Sequence, residues 1–173
     1  MLLTGAFAPL FLGTFLWHDP WFRLGAALGG IAMVGYLLLV TVVVIRTDRS
    51  RVEFSRIVLG AFAGVLAVVV AIPLAFGEGF RDAIVLHWTF ILGGFFPLTI
   101  VGYAFQFFPV TSGRFPGATT RGVAVTIGSL AGGVFVQGIG ILSQLAYLRS
   151  VGAALSVLGA LGYTGLMVGR FVG

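Results

Sequence analysis

The chain has 173 residues, of which 59% are hydrophobic and only 9% are charged, and its mean hydropathy is +1.13. Because a soluble domain carries about 25% charged residues, this composition predicts an integral membrane protein whose first partner is the lipid bilayer. The absence of cysteine excludes thiolate metal sites, iron–sulfur clusters and disulfides. The net charge of +5 requires no nucleic-acid partner, since the arginines fall mainly in short loops between apolar segments.

Six apolar segments follow one another along the chain, and each approaches or exceeds the roughly 20 residues that a helix needs to cross a bilayer. The first lacks the basic region and the cleavage site of a signal peptide, so we interpret it as a span. The sequence therefore predicts an all-α, polytopic integral membrane protein: a six-transmembrane-helix bundle that forms one domain over residues 1–173. The segments are 2–17, 24–45, 57–76, 83–107, 122–147 and 151–172.

The distribution of the arginines predicts the orientation of the bundle. Seven arginines lie in the loops after the second and fourth segments or at the C-terminus, and three lie on the opposite side. The positive-inside rule then places both termini in the cytoplasm and the start of the fourth segment at the outer face. We expect a multi-pass protein of a prokaryotic plasma membrane. The seven are Arg46, Arg49, Arg51, Arg56, Arg114, Arg121 and Arg170; the three are Arg23, Arg81 and Arg149.

Glycine is abundant, with 27 residues, and several segments carry two glycines four positions apart. Such pairs lie on one helical face and let two helix backbones approach closely in lipid. They predict a tightly packed bundle without identifying a partner. The pairs are Gly25/Gly29, Gly60/Gly64, Gly128/Gly132 and Gly165/Gly169.

His87 stands near the start of the fourth segment and is one of two histidines in the chain. An ionisable residue inside a membrane span is expensive and indicates a function. Gly94, two helical turns further on, would leave room for the ring of a haem bound by His87. Being about one turn from the helix end, His87 could instead hydrogen-bond to another helix or to interfacial water. At 100° per residue its face also includes Ile91, Leu98, Val101 and Phe105.

The stretch "VLHWTFILGGFFPLTIVGYAFQFFP", followed by a Gly/Pro turn, resembles a histidine-bearing helix of the haem–copper oxidase subunit I superfamily and, more closely, of its short relatives. The likeness lies mainly in residues 83–117. In that family such a helix runs inward from the outer face and offers its histidine to a haem. The resemblance implies a haem b with His87 as an axial ligand beside Gly94, in a respiratory-type electron-transfer protein.

Two histidines are too few for a complete haem–copper centre, so this chain alone cannot form one, and whether it is an enzyme stays open. His18, in "WHDPWF", is predicted on the same side of the membrane as His87. The two are candidates for a shared copper, zinc or haem site, because imidazole suits all three. His18 beside Asp19 is also typical of turn capping. The remaining candidates for a second axial ligand are Met33, Met167, His87 of a second copy, or another subunit.

Two functions from different classes follow. The first is a small membrane component of a respiratory-type or haem-binding electron-transfer system. The second is a non-catalytic structural or accessory subunit of a larger membrane complex, with a homo-oligomer or other membrane subunits as partners. A small transporter is less favoured, because no carboxylate is predicted at mid-membrane.

Overall fold

The computed structural model describes residues 19–46, 51–113 and 115–172, and these are helical apart from short turns. Five of the helical stretches are long and apolar enough to cross a membrane. The all-α architecture is therefore confirmed, with five long apolar helical stretches that could be membrane spans, while the segment 2–17 lies outside the described residues. The elements are α1 (Asp19–Arg46), α2 (Arg51–Ala75), α3 (Ala83–Trp88), a π-helical segment (Thr89–Phe95), α4 (Phe96–Phe107), a 3-10 turn (Val110–Ser112), α5 (Thr120–Leu142) and α6 (Ala146–Val172).

The helices pack mainly against their neighbours in the chain. α1 packs on α2, α2 packs on the span formed by α3, the π-helical segment and α4, and α5 crosses that span and forms the most extensive interface with α6. Buried apolar side chains gather in two clusters. One centres on Leu98, Val101, Phe105, Ile127 and Leu130, and the other on Ala63, Ala67, Leu86, Phe90 and Val134.

The third span is a composite helix, and Pro97 explains why. Proline has no N–H, and its ring crowds the carbonyl four residues earlier, which here belongs to Gly93. The wider π-helical turn lies directly before it, and the N–H of Phe96 donates to the carbonyl of Ile91, five residues back. The two halves of the span therefore do not share one regular 100° register.

Two helix boundaries differ from the sequence prediction. α1 includes Asp19 and Pro20, which the sequence prediction places in the turn before the second segment. The turn between the last two spans lies at Ser143–Leu145, because α5 ends at Leu142 and α6 begins at Ala146. Gln144 adopts a φ of 59° there. The apolar residues around this tight turn concealed it in the hydropathy pattern.

Candidate functional site

His87 lies in α3, half-buried, with its ring turned toward α2. Its Nδ1 lies 2.9 Å from the backbone carbonyl oxygen of Ala67. Since a carbonyl only accepts, Nδ1 carries a proton and donates it, and in the neutral imidazole Nε2 is then the nitrogen with a free lone pair. The Trp88 ring stands edge-on to the imidazole, with 5.3 Å between ring centroids. The protein thus sets both the tautomer and the orientation of His87.

The predicted face of His87 is divided by the π-helical segment. From Gly94 onward it is the buried face, since Gly94, Leu98, Val101 and Phe105 all lie in the core. In α3 the buried positions are instead Ala83 and Leu86, followed by Phe90 near the start of the π-helical segment. The wider turn shifts the register by about one residue, and His87 consequently lies beside the core face and not on it.

Gly94 lies where three helices meet. A Cβ added to it would come within 2.6 Å of the Ala63 Cβ on α2 and 3.3 Å of Val134 Cγ1 on α5. The space beside Gly94 is therefore filled by α2 and α5, and the glycine allows their close approach.

The candidates for a second ligand are placed differently. His18 lies outside the described residues. Met33 packs against Gly64 of α2, one turn from Ala67, whereas Met167 packs against the cluster that includes Phe105. Within residues 19–46, 51–113 and 115–172, no group of three or more His, Cys, Asp or Glu could hold a metal ion.

The geometry around His87 is that of a histidine able to bind a metal. His87 offers one ligand atom with a set tautomer, and a backbone carbonyl acceptor at Nδ1 is the usual partner of a metal-binding histidine. An apolar groove of the described bundle, with a volume of about 290 Å³, is lined by other residues. Among the described residues, His87 therefore lies outside the walls of that groove.

A second polar site, which sequence reasoning missed, joins the third span to the α5–α6 turn. Asp82 Oδ2 accepts a hydrogen bond from Gln144 Nε2 at 3.1 Å and from Arg149 Nη2 at 3.2 Å. Arg149 Nε also donates to the Gly140 carbonyl at 3.2 Å, and Gln144 Nε2 to that of Ile141 at 2.9 Å. We call this group the Asp82 cluster and this end of the bundle the Asp82 end.

Backbone strain and electrostatics mark the Asp82 cluster as a tether. Asp82 and Gln144 have positive φ angles of 64° and 59°, and they are the non-glycine residues with this conformation in the described parts of the chain. Such conformations persist only where surrounding contacts hold them. The Gln144 hydrogen bond, and after it the Arg149 guanidinium, keep the pKa of Asp82 below its ordinary value, against the opposing effect of desolvation.

Most polar side chains within the spans bond inside their own helix, as serine and threonine commonly do. Thr89 donates to the carbonyl of Val85, Thr126 to that of Gly122 and Thr164 to that of Ala160. Thr99 and Ser156 differ, because their buried hydroxyl oxygens have no hydrogen-bond partner among the described residues.

Compared with protein families, with curated proteins and with solved structures, the chain matches none.

Proposed function

We propose that this chain is a non-catalytic membrane subunit that packs against another transmembrane helix through one open face of α5. The observation that carries the proposal is the environment of Gly128 and Gly132. At both positions no described residue lies within 4 Å of the place that a Cβ would take. The two glycines are four residues apart, the spacing that lets helices approach closely in lipid.

The side chains around these glycines suit a helix partner. Val125 is 61% exposed and Ile139 is 56% exposed. At 100° per residue, both lie on the same side of α5 as Gly128 and Gly132. A flat glycine strip flanked by branched apolar side chains supports van der Waals packing of a second helix, which drives association where no hydrophobic effect operates.

In this proposal the Asp82 end faces outward and both chain termini lie in the cytoplasm of a prokaryotic cell. The arginine distribution supports that orientation. Arg121, at the start of α5, and Arg170, at the end of α6, then mark the cytoplasmic side. In this orientation Gly128 lies in the cytoplasmic half of α5 and Gly132 lies close to its middle.

Site-specific photo-cross-linking tests the proposal. Because the chain has no cysteine, Val125→Cys introduces a single thiol that a maleimide–benzophenone can label in native membranes. We expect a cross-linked product, either at twice the 18.2 kDa chain mass for a second copy or at another mass for a different subunit.

Val157→Cys on α6, where the native side chain is 58% exposed, is the matched control, and we expect only lipid adducts from it. A cross-link from position 125 to residues 2–17 of the same chain would contradict the proposal, as would equal products from both positions.

A second candidate function is haem binding at an interface with another chain, in a respiratory-type electron-transfer system. The bond from His87 Nδ1 to the Ala67 carbonyl favours it, because this bond leaves Nε2 available as an axial ligand. The second ligand and the rest of the pocket would come from outside the described residues.

A visible spectrum tests this candidate. The protein is extracted from its native membranes with its partners after growth with ample haem. We expect a Soret band that His87→Ala removes, and comparison with His18→Ala shows whether the other histidine is also a ligand. A colourless wild-type preparation, or a band that His87→Ala leaves unchanged, would contradict it.

A further inference from the structure

An apolar groove lies between α2, the third span and α5, on the half of the bundle near the Asp82 end. Its volume is about 290 Å³. Its walls include Val69 of α2, Leu86 and Phe90 of the third span, and Ile139 and Leu142 of α5. Phe80, in the turn before α3, lines it as well.

The contents of this groove are restricted by its chemistry. Buried water needs two or more polar partners, and these walls are almost wholly apolar. An empty space would forfeit the dispersion contacts of every side chain that lines it. A cavity of about 150 Å³ with such walls accommodates benzene, so this larger groove has room for a run of methylene groups.

Two exposed charged residues close in sequence to the lining residue Phe80 suit a phospholipid headgroup. Arg81 follows Phe80 directly, and both Arg81 and Glu78 are exposed just outside the span that begins at Ala83. A guanidinium binds phosphate oxygens in a bidentate manner, and a carboxylate attracts an ammonium. Arg149 is already bonded to Asp82 and to backbone carbonyls.

A second groove in the bundle also has apolar walls, but no charged residue is next to its lining residues in the sequence. It has a volume of about 260 Å³ and is lined by Pro97, Ile100, Val101, Leu130, Ala160 and Tyr163. None of these residues is charged or next to a charged residue in the sequence. Acyl chains of annular lipid would bind both apolar grooves equally well. A lipid whose headgroup binds charged residues would prefer the first groove.

We propose that the groove at the Asp82 end is a binding site for one zwitterionic phospholipid of the phosphatidylethanolamine type. One acyl chain lies between Val69 and Ile139, the phosphate lies at Arg81 and the ammonium at Glu78. This site shares Ile139 with the open face of α5, but Gly128 and Gly132 do not line it, and it does not depend on a haem at His87.

Native mass spectrometry of the full chain in detergent, titrated with dioleoylphosphatidylethanolamine, tests the site. We expect one retained lipid per chain. Val69→Trp and Ile139→Trp, on opposite walls, should each weaken binding about tenfold, equivalent to about two methylene groups no longer buried. Arg81→Gln should weaken it about fivefold through the lost phosphate contact.

Val168→Trp provides the matched control, because Val168 is 55% exposed against 58% for Val69 and does not line the groove. Far-UV circular dichroism checks that each variant is folded. Equal lipid retention by the position 69 and position 168 variants would overturn the proposal. So would oleate binding as tightly as the phospholipid, since Arg81 and Glu78 would then recognise no headgroup.

Discussion

α5 carries two glycine faces, and its surroundings differ completely between them. Gly133 and Gly140 face α6. A Cβ on Gly133 would lie 2.7 Å from the Gly152 carbonyl oxygen, and a Cβ on Gly140 would lie 2.6 Å from the backbone nitrogen of Arg149. Gly128 and Gly132 face away from the described helices, and a Cβ added to either would have no described residue within 4 Å. The first face is therefore already in close contact with α6, whereas the second face is open to close contact with another helix.

The largest expected effect comes from closing the space on the first face. Gly133→Ala places a methyl group against the backbone of α6, which cannot move aside as a flexible side chain would. We expect the free energy of unfolding to fall by about 2–3 kcal/mol, the upper part of the range for overpacking. Unfolding in mixed micelles with increasing dodecyl sulfate, followed by far-UV circular dichroism, measures this loss.

The adjacent residue provides the control. Gly132→Ala is the same chemical change on the open face, and the new methyl group meets no described residue. We expect no loss and a gain of up to about 1 kcal/mol, because alanine favours a helix interior over glycine. Equal losses for the two variants would show that the two faces are not different.

Glycine spacing in the sequence predicted the close packing but not its location. Of the predicted pairs, Gly60/Gly64 is closed, since a Cβ on Gly60 would stand 2.6 Å from Thr99 Oγ1. Gly128/Gly132 has the same spacing and is open. The tight α5–α6 contact uses Gly133/Gly140, seven residues apart, a heptad spacing that a search for pairs four apart overlooks. Spacing tells which glycines share a face, whereas tertiary contacts decide what covers that face.

The candidate sites show the same limit. The sequence identified His87 as a candidate. It also predicted that four residues share one helical face, and that face is buried: Gly94, Leu98, Val101 and Phe105. It did not show the acceptor, because Ala67 contributes a backbone carbonyl that carries no side-chain signal. Pro97 after Gly93 was the available signal for the π-helical segment. The Asp82 cluster joins residues more than 60 positions apart, so no local sequence pattern predicts it.

Association with the partner helix should depend on the open glycine face of α5 and not on the exposure of a glycine alone. Gly128→Leu fills the open strip, so we expect the Val125→Cys cross-link yield to fall about tenfold, equivalent to about 1.4 kcal/mol of association free energy. Gly35→Leu on α1 is the control, since its Cβ position is also open. We expect Gly35→Leu to leave the yield unchanged. A similar decrease in both variants would mean that the pair on α5 has no special part.

The Asp82 cluster anchors the α5–α6 hairpin, and with it both glycine faces, to the third span. The pKa of Asp82 is lowered in the folded chain from its ordinary value of 3.8. Its contribution to stability is therefore fully present above that value, and it is lost as the pH falls from about 4 through the lower folded-state pKa. Between pH 7 and 5 we expect no change from this group.

Asp82→Asn separates this titration from that of the other carboxylates. The difference in unfolding free energy between wild type and Asp82→Asn should be constant from pH 7 to 5 and should shrink below about pH 4, because only the wild type loses the ionised acceptor. Glu78→Gln, which removes an exposed carboxylate at the same end, should track the wild type. Parallel profiles for wild type and Asp82→Asn down to pH 2 would show that the pairing with Gln144 and Arg149 does not stabilise the hairpin. The open face of α5 would then have no anchor at this end of the helix that depends on charge, and apolar packing of Val134 and Ile141 in the cluster with Leu86 and Phe90 would have to position it.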